Sequence, residues 1–242
     1  MSSRIISRKY AFFAAVCLSV AVFTACGKNE QPSTEKPEKT EDNGAKKLSQ
    51  QDKRAEGVRN HAENPFASSG NARLIELWRK ATEENDADAQ IDLGVCYQYG
   101  DGVERDMAES AEWFRKAAEQ GHGIAQIILA QDYAMGLGVD LDMAEAARWY
   151  RAAAEQGIAS AQFKLGQYYF EGSGVEQNYE EAVKWWRKAA EQDYTDAQFN
   201  LGGCYYEGIG VEKDKAEAVK WFRLAAENGD KDALEAMEEL GL

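Results

Sequence analysis

Residues 71–242 predict an all-α solenoid of stacked helix pairs, and three observations carry the prediction. Alanine recurs at Ala89, Ala125, Ala161, Ala197 and Ala233, 36 residues apart without a gap. Every interval repeats one internal order: apolar residues at helical spacing, a glycine-bearing break, then a second stretch rich in tryptophan and alanine. Glycine is frequent, 21 in 242 residues, while proline occurs only three times, so glycine is what interrupts the helices. A fixed period of roughly 20–50 residues marks an array whose units bury their apolar faces against one another.

Counting each unit from its alanine as place 1, alanine, leucine, glycine and tyrosine at places 1, 5, 6 and 9 lie on one face of a first helix, A (in unit 1 Ala89, Leu93, Gly94 and Tyr97). Glycine at place 6 lets a neighbouring helix come close. The run G-x-G-V at 100–103, 136–139, 172–175 and 208–211 then ends helix A, because glycine reaches positive φ where other residues do so at a cost. Asp106, Asp142, Asn178 and Asp214 are positioned to cap a second helix, B, with Glu109, Glu145, Glu181 and Glu217 three residues later, the spacing of a capping box. Helix B carries Trp113-Phe114, Trp149-Tyr150, Trp185-Trp186 and Trp221-Phe222 among alanines and stops at Gly121, Gly157, Asp193 and Gly229. Large beside small residues allow neighbouring helices to interdigitate. Gln90, Gln126, Gln162 and Gln198, with Arg115, Arg151, Arg187 and Arg223, recur with the packing residues and are read as repeated hydrogen-bonding or salt-bridging devices. Four units are expected at 89–124, 125–160, 161–196 and 197–232. A helix-B-like fore-cap (71–88, around Leu74–Ala81) precedes them, and a cap helix at 233–242 follows.

The pattern A-x-x-x-L-G-x-x-Y-x-x-G-x-G-V, followed by the cap, A-x-x-W and K-A-A-E-Q-G, resembles the Sel1-like repeat, a relative of the tetratricopeptide repeat. The resemblance implies a right-handed superhelix that binds other proteins, with helix A lining its concave surface. At places 7, 8, 10 and 11 of helix A the units differ most. If that face is concave, Tyr99, Asp132, Met135, Phe170, Glu171, Tyr206 and Glu207 are the candidate partner-binding residues. Any of these side chains, and Tyr168 and Phe170 above all, has the alternative role of completing contacts between units.

The N-terminal part is read separately. Residues 2–9 are basic and polar, residues 10–25 (YAFFAAVCLSVAVFTA) apolar and small, and Cys26 follows. The apolar run is shorter than the ~20 residues a bilayer-spanning helix needs, so it reads as an export signal at 1–25. Phe23-Thr24-Ala25-Cys26 resembles the bacterial lipoprotein box, with Phe23 where leucine is usual. That resemblance implies lipidation of Cys26 and, with Gly27 rather than aspartate next, delivery to the outer membrane facing the periplasm. The alternatives are the cell surface or a plain secretory signal releasing a soluble periplasmic protein. Residues 26–70, polar and nearly free of large apolar side chains, read as a flexible tether. A coil of about 40 residues spans roughly 35 Å.

Charge and composition exclude some functions. The whole chain carries −14, but beyond residue 60 there are 17 basic against 35 acidic residues, so the array is near −18. That field opposes nucleic acid; it would speed the approach of a basic protein partner, or it serves simply to keep the helix surfaces soluble. Two histidines, His61 and His122, and the absence of H-E-x-x-H or C-x-x-C leave neither a metal nor a cofactor site in view. The S-x-x-K run Ser33–Lys36 lies in the tether, outside any fold that could use it. One cysteine-rich branch of the repeat family is linked to β-lactam binding and hydrolysis. Its paired cysteines are here Ala118 and Gln126, Ala154 and Gln162, and Ala190 and Gln198, so that activity is not expected. Cys96 and Cys204 sit three units apart, too far for a disulfide. The resulting expectation is a membrane-anchored, non-catalytic adaptor of the bacterial envelope. The alternative is an immunity protein neutralising a periplasmic toxin such as a phospholipase, as some Sel1-like lipoproteins are.

Overall fold

The computed structural model describes residues 64–67 and 69–241. The described residues form ten helices and no strand: α1 (Ala72–Glu83), α2 (Ala87–Tyr99), α3 (Met107–Glu119), α4 (Gly123–Met135), α5 (Met143–Glu155), α6 (Ala159–Glu171), α7 (Tyr179–Ala190), α8 (Thr195–Glu207), α9 (Lys215–Glu227) and α10 (Lys231–Leu240). Each packs on the next in chain order, giving an all-α solenoid of helix pairs. α2, α4, α6 and α8 are the A helices, and α3, α5, α7 and α9 their B partners. The A helices start two residues ahead of the alanine used to align the units, because Asp86, His122, Ile158 and Tyr194 hold the extended N-cap conformation.

The turn inside each unit follows from its two glycines. The first (Gly100, Gly136, Gly172, Gly208) ends helix A in the left-handed region, its N–H donating to the carbonyl four residues back. The second is fixed by contact as well as by φ. A Cβ on Gly138 would stand 1.8 Å from the Met107 carbonyl oxygen, and one on Gly174 2.1 Å from that of Met143. The turn of one unit therefore rests directly on the first residue of helix B in the unit before.

Asp106, Asp142 and Asp214 cap helix B as expected, each accepting two backbone N–H bonds through Oδ1. The reciprocal half of the capping box is not made. The N–H groups of Asp106, Asp142, Asn178 and Asp214 donate instead to the carbonyls of Tyr97, Tyr133, Tyr169 and Tyr205 on helix A. This leaves Glu145, Glu181 and Glu217 free to pair with Arg148, Lys184 and Lys220 one turn on.

Packing within a unit pairs a glycine with a ring. A Cβ on Gly166 would lie 2.5 Å from Cδ1 of Trp186, and Gly94 and Gly202 are crossed in the same way by Phe114 and Phe222. Unit 2 differs: Ala130 replaces the glycine and Tyr150 is the ring residue of its B helix. Between units the recurrent glutamines form a ladder. Gln126 Nε2 donates to the Ala118 carbonyl of the preceding B helix (3.1 Å), while its Oε1 accepts from Gln156 Nε2 at the end of its own B helix (2.8 Å). Gln90, Gln162 and Gln198 do the same with Ala81, Ala154 and Ala190 on one side and Gln120, Gln192 and Asn228 on the other. The arginines make a second set of links: Arg115, Arg151 and Arg187 donate to the hydroxyls of Tyr133, Tyr169 and Tyr205 in the next unit.

At the N-terminal end the array begins earlier than residue 71. Phe66 is buried against the first helices, with its ring 6.3 Å from that of Tyr97. Asn64 Nδ2 donates to the Ile75 carbonyl (3.0 Å) and its Oδ1 accepts from the Phe66 N–H (2.9 Å). The tether boundary expected at residue 70 therefore moves back, because one large apolar residue in a polar stretch fills the open end of the stack. The expected signal segment at 1–25, Cys26 and the remainder of the tether lie outside the described residues.

Candidate functional site

The A helices present one outer stripe each, and helical geometry decides which residues lie on it. At ~100° per residue, places 0, 4, 7 and 11 fall within about 60° of one another, whereas places 8 and 10 lie roughly 70° and 90° from the centre of that stripe. The stripe thus carries Asp88, Asp92, Val95 and Tyr99 on α2; Ile124, Ile128, Gln131 and Met135 on α4; Ser160, Lys164, Gln167 and Glu171 on α6; and Asp196, Asn200, Gly203 and Glu207 on α8. Consecutive A helices are neighbours at their N-termini: His122 Nε2 meets Asp88 Oδ1 at 3.1 Å, and the Phe163 and Tyr194 rings lie 5.0 Å apart.

Four of the seven expected partner-binding residues are exposed at the surface, Glu171 there accepting a hydrogen bond from the Ser173 hydroxyl (3.1 Å). Tyr99 is 74% and Met135 60% exposed. Glu171 and Glu207 are also exposed at the same place of units 3 and 4. Tyr206 is half-buried, with Lys213 and Lys215 reaching over its ring at 5.1 and 5.8 Å. Two assignments are corrected. Phe170 is 1% exposed and packs its ring 5.2 Å from Trp186 and 5.0 Å from Tyr179, so it belongs to the core of unit 3. Asp132 is 4% exposed, at place 8, which Cys96, Tyr168 and Cys204 also fill with buried side chains. Tyr168 meets the preceding B helix through Tyr150, the ring centroids 5.3 Å apart.

The stripe holds apolar residues not expected as partner-binding. Val95 and Ile124 are exposed on it, and Leu141 is 65% exposed where the turn after α4 folds back beside Gly136. Their signal was present in the repeat. Ile124 stands where other units have Asp88, Ser160 and Asp196, and Leu141 where they have Arg105, Gln177 and Lys213.

Electrostatics give the titratable groups little catalytic character. Burial alone pushes the Asp132 carboxyl up to about 7, and no hydrogen bond or ion pair reaches that carboxyl among the described residues. Burial also raises the thiols of Cys96 and Cys204, both free and buried, so each is held in its neutral, weakly nucleophilic form. His122 serves as the N-cap of α4 through Nδ1 while Nε2 faces Asp88; neither thiol is its partner. Two open depressions lie near the N-terminal end. One, of about 350 Å³, sits between α1 and α2 and is lined by Arg73, Glu76, Lys80, Asp86, Asp88 and Asp92; the other, of about 500 Å³, lies beside Phe66, Tyr97 and the turn to Asp106. The first is lined mainly by charged side chains and the second mixes Phe66, Tyr97 and Val103 with Glu104, Arg105 and Asp106; both stand open to solvent, unlike an enclosed small-molecule site. No group of three metal-ligating side chains gathers among the described residues.

The profile of the Sel1 repeat matches four consecutive segments, residues 87–122, 123–158, 159–194 and 195–230, the same two-residue advance that the helix starts show. Among solved structures, the chain is similar to c5321, a protective antigen of uropathogenic Escherichia coli strains described as displaying an SLR fold: 41% identity, TM-score 0.65, covering 69% of this chain and 36% of that one. This chain therefore spans little more than a third of that protein's length. A Sel1 repeat protein from Oxalobacter formigenes is 37% identical with a TM-score of 0.63, covering 69% of this chain and 70% of that one. The immunity protein Pa5087 from Pseudomonas aeruginosa covers 79% of this chain and 83% of its own, but at 19% identity and a TM-score of 0.37 it carries no functional weight. No curated protein matches the chain. The fold and its turns define a helix-hairpin repeat protein of the protein-interaction class. The chain belongs to the Sel1 repeat family.

Proposed function

We propose that the chain is a non-catalytic protein-interaction module of the bacterial envelope, anchored by lipid at Cys26 and holding its partner on the outer stripe of the A helices. One observation carries the binding reading. The recurrent glutamines and three of the four recurrent arginines spend their polar groups on links between helices, whereas the stripe varies from unit to unit and its exposed members Val95, Tyr99, Met135 and Glu207 take part in none of those links. A surface relieved of folding duties and varied along a repeat is where partner specificity resides. The non-catalytic reading is supported by buried neutral thiols and by the lack of a nucleophile beside the His122–Asp88 pair among the described residues. The envelope reading rests on residues 10–26 of the sequence, an apolar run ending in Ala25-Cys26.

Two measurements test it. Mass spectrometry of the mature protein should show acyl mass on Cys26, lost in Cys26→Ser, and an unmodified mature N-terminus would remove the anchoring. Purified protein should not turn over nitrocefin; turnover surviving serine-labelling controls would remove the non-catalytic reading.

A further inference from the structure

The outer stripe is not uniform. On α6 and α8 it is polar or small throughout, but at the C-terminal ends of α2 and α4, equivalent helices of consecutive units, it carries exposed Val95, Tyr99 and Met135, and the turn after α4 adds exposed Leu141. Each stands at a place that other units fill with a polar or small side chain: Tyr99 and Met135 match Glu171 and Glu207, and Leu141 matches Arg105, Gln177 and Lys213. The units share one packing solution, so these places do not need an apolar side chain to fold. Acidic groups border the cluster. Asp92 lies on the same face of α2 one turn before Val95, Asp140 precedes Leu141, and Glu171 takes the place of Met135 in the next unit; all three are exposed. Arg105, the counterpart of Leu141 in unit 1, turns its guanidinium to the Met107 sulfur (3.8 Å).

We propose that this patch, on units 1 and 2, receives a basic amphipathic helix from another protein, its apolar side chains seated on Tyr99, Met135 and Leu141 and its lysines or arginines facing Asp92, Asp140 and Glu171. The inference rests on the interaction-module reading above and names the chemistry of the partner. Charge and size select the occupant. A second copy would bring one array near −18 against another, and an anionic lipid surface is opposed by the same field. Four apolar side chains offer on the order of 400 Å² where a stable interface needs about 800 Å² from each partner. A short helix presenting anchors at i, i+3 or i+4 and i+7 fits such a patch, and its cations supply the attraction that the small apolar area does not.

The test uses a fluorescein-labelled synthetic helix with leucine on one face and lysine on the other, titrated with the purified chain and followed by anisotropy. A twin peptide with glutamate for lysine is the control. The lysine peptide should bind, and raising salt from about 50 to 500 mM should weaken it several-fold. The triple variant Tyr99→Ser, Met135→Ser, Leu141→Ser should weaken it at least tenfold while keeping the wild-type helical content and the acidic charge. Equal binding by the triple variant, or by the glutamate peptide, overturns the proposal, as does a wild-type dimer in sedimentation that the triple variant abolishes. Affinity capture from the envelope separates this failure from that of the wider reading. If wild type and triple variant retain the same protein, the patch assignment fails while the interaction module stands. If the wild type retains nothing and binds neither peptide, both fail.

Discussion

Asp132→Asn should make the array more stable at alkaline pH and leave it unchanged in acid. Asp132 occupies a buried place on α4 with no hydrogen bond or ion pair on its carboxyl, and burial raises its pKa to about 7. In the unfolded chain the group titrates near ~4. Its folded pKa is raised, so the folded state holds the proton more tightly. Its contribution is intact below about pH 4, falls as pH rises, and is fully lost above about pH 7. The shift spans roughly three units at ~1.4 kcal/mol each, a ceiling of about 4 kcal/mol, which relaxation and water entry would reduce to ~2–4 kcal/mol. Asparagine keeps the shape of the protonated carboxyl without the charge. Urea unfolding followed by far-UV circular dichroism, wild type against variant, should give superimposable curves at about pH 4 and a variant more stable by ~2–4 kcal/mol at about pH 8.5. A difference that stays constant across that range would show that the carboxyl is not held out of water, and the reasoning would fall.

Other substitutions test the packing and the links. Gly166→Ala places a methyl 2.5 Å from the Trp186 ring and should cost about 1–3 kcal/mol in thermal or urea unfolding despite alanine's better helix propensity. Gly174→Ala, with φ +67° and a backbone oxygen 2.1 Å from the new atom, should cost more than Gly166→Ala, and a milder effect would mean that the turn yields. Gln162→Ala removes one bond to the Ala154 carbonyl and one from the Gln192 amide, but that carbonyl keeps the Gly157 N–H and that amide keeps the Lys188 carbonyl, so the cost in the same assay should be only ~1–2 kcal/mol. Cys204 should resist iodoacetamide in the native protein and react once urea has unfolded it, read by intact mass; rapid native labelling would contradict its burial.

The helices and their turns were legible because each unit restates them, and the glutamines could be assigned a structural role from recurrence alone. Two features were not legible. The reciprocal half of the capping box depends on where the N-cap N–H goes, and it goes to a tyrosine carbonyl on the partner helix, a tertiary bond that local spacing does not encode. Places 8 and 10 looked like surface because they vary, yet Asp132 and Phe170 are buried. At place 8 the variation reflects different fillings of an inter-helix gap, the ring of Tyr168 against Tyr150 in one unit and small Cys96 or Cys204 in others, while at place 10 only Phe170 turns its ring into the core, against Trp186. Angle about the helix axis separates such positions from Tyr99 and Met135, whereas chemical type does not. The same geometry would have drawn attention to Ile124, whose neighbours at that place are Asp88, Ser160 and Asp196.

The glutamine ladder has a consequence for how the molecule breathes. Because every carboxamide clasps the helix behind it and is clasped by the one ahead, no interior hairpin can open without orphaning amides on both sides. Fluctuation is thereby driven to the two tips, α1 with its Phe66 plug and the short α10, and amide exchange should erode the molecule inward from them, leaving the middle hairpins the last to give way.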